Sequence, residues 1–299
     1  MASIRILEQM DQPEKRVHRP VQCEAIRLHF PRPEKEAGLL VTLGGLYTDK
    51  QGNLIKLSEM WYLLEVLGWN PKRIVSVDIT KEVVDRNNTN RDPRCKGIRN
   101  VYMPLTYKRK DGEDCPVQFG QIGGIERVIS NLISMGEKVS VVLSDLMGTV
   151  RINAPDTIGM AYDLSKQKGK VLLLNNFTNL ERRNGVTGHG IGKHNASTEL
   201  WEGDTVGRHG LPFKKVAHGI WKEFTLNLND GSENKQFSYT GNRTPMQTVF
   251  LVKTAGTKQP PKAIVQKEER SEKVKCIKRT GNYSAGAKKA WATRRANAK

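Results

Sequence analysis

Apolar residues along this chain fall into short dense runs separated by longer amphipathic stretches. The run KVSVVLSDLMGTV (138–150) carries Val139, Val141, Val142 and Leu143 with only small serines among them. Such a run reads as a strand buried on both faces. GLLVTLGG (38–45), RIVSVDI (73–79), IRNVYMPL (98–105) and KVLLLNNF (170–177) repeat the pattern, the third more weakly. Between them the spacing changes to three and four. NLIKLSEMWYLLEVLGW (53–69) places Leu54, Leu57, Trp61, Leu64 and Leu67 on one helical face, with Gly68 as a stop. TKEVVDRNN (80–88) opens on a Thr cap. GIERVISNLISMG (124–136) and APDTIGMAYDLSKQKG (154–169) are the remaining helices, the last with Asp156 early and Lys166, Lys168 and Gly169 at its end. YKRKDGEDC (107–115) is polar and reads as a loop.

Strands alternating with helices predict an α/β fold, a doubly wound, mostly parallel sheet covered on both faces. The pattern then breaks. Residues 178–220 are glycine-rich and basic with few apolar positions, which predicts a long loop, functional or mobile. In 222–254, Phe224, Leu226 and Leu228 alternate with polar residues, Asn229-Asp230-Gly231 signals a turn, and MQTVFLVKT closes a terminal antiparallel β-hairpin. The charged, proline-bearing residues 1–36 read as an N-terminal arm, 37–254 as the α/β domain and 255–299 as a basic linker and tail.

Charge sharpens this division. The chain of 299 residues has a formal net charge of +18, and 253–299 alone holds 14 Lys/Arg against 3 Asp/Glu. That asymmetry points to a polyanionic partner, nucleic acid, DNA or RNA. No apolar run is long enough to cross a bilayer and the start lacks an apolar signal segment, so no membrane association or secretion is expected. The expected compartment is cytoplasmic or host-cell intracellular. Cys23, Cys95, Cys115 and Cys276 are too far apart for a zinc or redox pair. His189, His194, His209 and His218 match no usual metal spacing, so no metal is expected.

In doubly wound sheets ligands bind at the carboxyl ends of the strands. Asp78 and Asp145 sit at such ends, and so do Gly44 and Gly45, whose lack of a side chain permits close backbone approach. The alternative role for either carboxylate is a cap on the next helix. GHGIGKH (188–194) is not a P-loop, because Thr187 replaces the first glycine and no Ser/Thr follows Lys193.

Five β/α units followed by an antiparallel hairpin resemble the element order of class I S-adenosylmethionine-dependent methyltransferases. VSVDITKEVVDRNN resembles that family's second strand and helix. VVLSDLMG resembles its fourth-strand motif, nearest the Ser-Asp form of ribose 2′-O-methyltransferases, and FSYTGNRTPMQTVFLVKT its final hairpin. The resemblance implies S-adenosylmethionine as cofactor, held by Gly44, Gly45 and Asp78, with Asp145 at the catalytic crevice facing the methyl acceptor on nucleic acid. Two departures stand out: Thr42 occupies a place where an acid is common, and Asn175-Asn176 stand near the end of the fifth strand where a 2′-O-methyltransferase has a lysine. These support a rival expectation, a catalytically inactive methyltransferase-like scaffold that binds nucleic acid. NYSAGAKKAWATRRANAK (282–299) resembles basic terminal segments of phage and large-virus proteins. There Lys288, Lys289, Arg294 and Arg295 would pair with phosphates and Trp291 would stack on bases.

Overall fold

The computed structural model describes residues 13–103, 106–108, 114–116, 124–145, 150–178, 195–226, 236–241 and 244–254. In chain order the elements begin with α1 (Pro13–His29), a single turn α2 (Pro33–Glu36), β1 (Leu39–Thr42) and α3 (Glu59–Trp61), which runs on as a π-helix over Tyr62–Val66. Then come β2 (Ile74–Asp78), α4 (Lys81–Asn88), β3 (Arg99–Tyr102), β4 (Thr106–Lys108), β5 (Asp114–Pro116) and α5 (Gly124–Ser134). The chain continues with β6 (Val139–Ser144), α6 (Val150–Ser165), β7 (Val171–Thr178), α7 (Ala196–Glu202), α8 (Phe213–Ala217), β8 (Trp221–Glu223), β9 (Gln236–Gly241) and β10 (Thr244–Lys253).

The main sheet runs β3-β2-β1-β6-β7-β10-β8, with β9 also paired to β10. The first five strands are parallel, and β10 is antiparallel to β7, β8 and β9. This is the expected mixed α/β, mostly parallel, methyltransferase-like fold. Alternation along each strand feeds two cores. Leu39, Val41, Val75, Val77, Val142, Leu173 and Leu251 point into one, covered by α5, α6, α7 and α8. Leu40, Ile74, Val141, Leu143, Leu174 and Phe250 point into the other. Burial on both faces is why these strands read as unbroken apolar runs.

Within residues 13–36, expected as an arm, α1 contributes buried side chains to the second core. Val21, Ala25 and Ile26 form an i, i+4, i+5 stripe on α1 that is buried in the second core together with Phe30. The helix expected over 53–69 is also shorter than predicted. It starts at Ser58, whose hydroxyl accepts from Trp61 N at 3.1 Å, and then widens into π geometry, so that Met60 and Leu63 face the core. The polar segment 107–115, expected as a loop, contributes to the antiparallel pair β4–β5. The expected long loop 178–220 holds α7 and α8, packed through Leu200, Phe213 and Val216. Its part 179–194, with GHGIGKH, lies outside the described residues.

Candidate functional site

The chain leaves β1 toward β2 and β3 on one side and returns to β6 on the other, so the switch point lies between the ends of β1 and β6. The loop after β1 is pinned there by close packing and by one buried amide. A Cβ on Gly44 would stand 2.4 Å from Ser76 Oγ, so only glycine lets the loop lie against β2. Gly45 takes φ 52°, the left-handed region that glycine favours. Its carbonyl accepts from Asn87 Nδ2 at 2.8 Å, while Asn87 Oδ1 accepts from Tyr47 N at 3.2 Å. Asn87, buried on α4, therefore clamps the loop on two sides.

Gly44, Gly45 and Asp145, three of the sequence-predicted residues, line one recess of about 40 Å³. His18 and Arg19 from α1 and Glu59 from α3 complete its polar wall. None of these last three was singled out from the sequence, since each reaches the site from an element far away along the chain. Glu59 accepts a hydrogen bond from Thr42 Oγ1, so a carboxylate stands beside the β1 end although residue 42 is not acidic. Arg19 Nη1 donates to the Leu57 carbonyl. Leu57 itself has φ 64°, a left-handed conformation costly for leucine and of the kind that collects at ligand clamps.

Asp145 Oδ1 accepts from Asn176 Nδ2 at 3.1 Å, Asn176 Oδ1 accepts from Thr248 Oγ1 at 2.6 Å, and Thr248 Oγ1 lies 3.0 Å from His18 Nε2. On the opposite face of the same strand ends, Ser144 and Asn175 are register partners. There the Ser144 hydroxyl and both polar atoms of the Asn175 amide are buried without hydrogen-bond partners among the described residues.

Asp78 does not line this recess; it lies one strand over, at the end of β2. It is half-buried and accepts from Thr80 N at 2.7 Å, so it does tie down the start of α4. Burial pushes its carboxyl above the ordinary value, against the pull of the Thr80 donors. Ile79, 48% exposed, and Tyr102, 42% exposed and the register partner of Asp78 on β3, flank it. Two exposed apolar side chains beside a strand-end carboxylate were not predicted, although Ile79 is the next residue in the sequence.

A second cavity, about 470 Å³, lies at the end of β8 between Trp201, Glu202 and Glu223. Glu223 Oε2 accepts from Trp201 Nε1 at 3.0 Å and from Ser197 Oγ. On the α5–α6 face, Glu126, Asp163 and His209 bring ligand atoms within 4.8 Å of one another, the arrangement of a metal site. Arg208 already supplies the cation: its Nε is 2.7 Å from Glu126 Oε1 and its Nη2 pairs with Asp163. Lys288, Lys289, Trp291, Arg294 and Arg295 lie outside the described residues. Among the described residues no helix is long and apolar enough to cross a membrane.

The strand order and directions are those of a mixed α/β fold, mostly parallel with antiparallel C-terminal strands, consistent with a methyltransferase-like fold. No family model and no curated protein matches the chain. Among solved structures it is similar to a hypothetical protein from Thermus thermophilus, at 16% identity and a TM-score of 0.33, covering 56% of this chain and 74% of that one. It is also similar to a SAM-dependent methyltransferase from Archaeoglobus fulgidus, at 15% identity and a TM-score of 0.27, covering 54% and 53%. Likenesses of this degree carry no functional argument; the assignment of fold rests on strand order and direction.

Proposed function

We propose that this protein binds S-adenosylmethionine across the ends of β1, β2 and β6 and transfers its methyl group to a nucleic acid. The observation that carries the reading is the pairing of two adjacent features with complementary chemistry. At the ends of β2 and β3, Asp78 offers a carboxylate to vicinal ribose hydroxyls while Ile79 and Tyr102 offer exposed apolar surface to a base. Beside them, the Gly44-Gly45 turn leads to a recess where Arg19 and the carboxylates of Glu59 and Asp145 meet. A guanidinium with carboxylates matches the opposite charges of an amino-acid end. In this reading Glu59 stands in for the acid missing at Thr42. Asp145, at the β6 end, faces the acceptor, where a carboxylate orients or deprotonates an attacking group. The net charge of +18 and the basic residues of 253–299 supply the attraction for the polyanion.

A second reading, a scaffold that binds nucleic acid without transferring methyl groups, is favoured by one observation. Near the end of strand β7, Asn175-Asn176 precede Phe177-Thr178, and the strand holds no lysine to stabilise a developing alkoxide. Incubation of the full chain with methyl-labelled S-adenosylmethionine and mixed DNA and RNA separates the two. Label on nuclease-sensitive material, lost in Asp145→Asn, supports transfer. Tight cofactor and nucleic-acid binding with no label transferred supports the scaffold.

A further inference from the structure

Asp145 is connected to the N-terminal helix by a chain of buried polar groups whose direction can be worked out. The Asn176 carbonyl oxygen can only accept, so the Thr248 hydroxyl hydrogen points at it across 2.6 Å. That leaves the Thr248 oxygen only lone pairs to offer His18 Nε2 at 3.0 Å, and Nε2 must therefore carry a proton. The amide orientation of Asn176 follows from its other end. Its NH2 group meets Asp145 Oδ1 at 3.1 Å, and the reversed amide would set a carbonyl against an ionised carboxylate with no hydrogen between them. All three donors therefore run one way, from α1 toward Asp145.

The members of this chain are deeply buried: His18 is 3% exposed, Asn176 1% and Thr248 0%. At such positions on β7 and β10 apolar residues would fill the space without any need for partners. A polar series that is satisfied link by link fixes orientation, and neighbouring links reinforce one another in a low dielectric. Both ends of the series, His18 and Asp145, line the same recess.

We infer that His18 is a positioning residue for the Asp145 carboxylate, acting through Thr248 and Asn176, so that α1 belongs to the functional site. The inference rests on the reading of Asp145 as the acceptor-facing carboxylate of a cofactor-binding rim. The neutral imidazole with its proton on Nε2 and the imidazolium both sustain the chain; the neutral tautomer with its proton on Nδ1 does not.

The test uses the full chain and three substitutions. His18→Phe keeps a ring but removes the donor. His18→Gln keeps a donor near the Nε2 position. Thr248→Val keeps the shape and removes the hydroxyl. Nitrogen-15 NMR of histidine-labelled protein above the imidazole titration range reads the tautomer directly. His18 is expected to be protonated on Nε2 in the parent protein and to become a tautomer mixture in Thr248→Val. Calorimetric titration with S-adenosylmethionine is expected to show affinity lowered about 5- to 30-fold in His18→Phe and in Thr248→Val, the scale for breaking a hydrogen bond to a buried or charged group. His18→Gln should recover to within about threefold, and the His18→Phe/Thr248→Val double variant should bind no worse than the weaker single, because both break one chain. An Nδ1–H tautomer in the parent protein, additive losses, or a glutamine variant as weak as the phenylalanine one would overturn the inference. If the parent protein binds no S-adenosylmethionine, the methyltransferase reading fails, and the tautomer alone then decides whether the chain exists.

Discussion

Gly44 was expected to lie against a cofactor, yet the structure gives it a prior duty within the fold, and the two can be separated. Its backbone is not in the left-handed region, so alanine brings no conformational strain there. The cost is steric. The new Cβ would lie 2.4 Å from Ser76 Oγ, 3.3 Å from Ser76 Cβ and 3.5 Å from Thr42 Cγ2. Ordinary contact between such atoms needs about 3.4–4 Å, so the serine oxygen must yield by about 1 Å at a site that is 2% exposed. Overpacking of this kind costs about 1–3 kcal/mol. Removal of the oxygen leaves the Cβ–Cβ distance of 3.3 Å as the closest approach, which a small shift accommodates. Urea unfolding should therefore show Gly44→Ala destabilised by about 1–3 kcal/mol. Ser76→Ala should change stability by less, and the double variant should recover at least about 1 kcal/mol of the loss. Strictly additive effects would refute the packing argument. A double variant that regains stability but not cofactor binding would show that a ligand, as well as β2, needs the glycine.

Other consequences follow from groups away from the rim. Lys253 is fully buried at the end of β10 and donates to the carbonyls of Gln167 and Gly169 just beyond α6. Lys253→Met should destabilise by about 1–3 kcal/mol in thermal or urea unfolding by stranding those acceptors. Burial pushes Glu126 up to about 7 from its ordinary 4.5, against the opposing Arg208 guanidinium. A carboxyl raised on folding favours the folded state at acid pH and loses that contribution as pH rises from about 4.5 through about 7. The stability of Glu126→Gln relative to the parent should therefore increase over that window and level off above it; unfolding at pH 5 and pH 8 measures this, and no change in the difference would refute it. Replacing Lys288, Lys289, Arg294 and Arg295 by alanine should reduce the slope of log affinity against log salt for duplex DNA by roughly 3 to 4, close to 0.9 for each phosphate no longer neutralised. An unchanged slope would remove these residues from the interface.

Much of the sheet was legible because strands buried on both faces leave an unmistakable mark, as in Ile74–Asp78 and Val139–Ser144. The elements missed are those whose signal depends on tertiary packing. The inward face of α1 is a short stripe of Val21, Ala25 and Ile26 set among charges and Pro20, and nothing local says that it is covered. Glycine and basic residues hid α7 and α8, whose buried residues include Leu200, Phe213 and Val216. The π-turn at Tyr62–Val66 shifts the apparent 3.6-residue register. At the site, strand ends and glycines could be named, because topology alone carries them to the rim. Glu59, His18, Asn87 and Thr248 could not, since their roles arise only where α1, α3, α4 and β10 meet the loop after β1 and the ends of β6 and β7. The separation of Asp78 from Asp145 into neighbouring sites likewise follows from strand order, which spacing does not reveal.

The central claim is that the rim from Asp78 to Asp145 holds S-adenosylmethionine, and calorimetric titration of the full chain tests it most directly. Asp78→Asn is the informative comparison, because the amide oxygen can still accept from Thr80 N while the charge offered to the ribose is gone. The account predicts saturable binding to the parent protein, weakened by about 1–3 kcal/mol in Asp78→Asn, the scale of hydrogen bonds to a charged group. Absence of binding at millimolar cofactor would contradict it, and Asp78 would then serve only to cap α4.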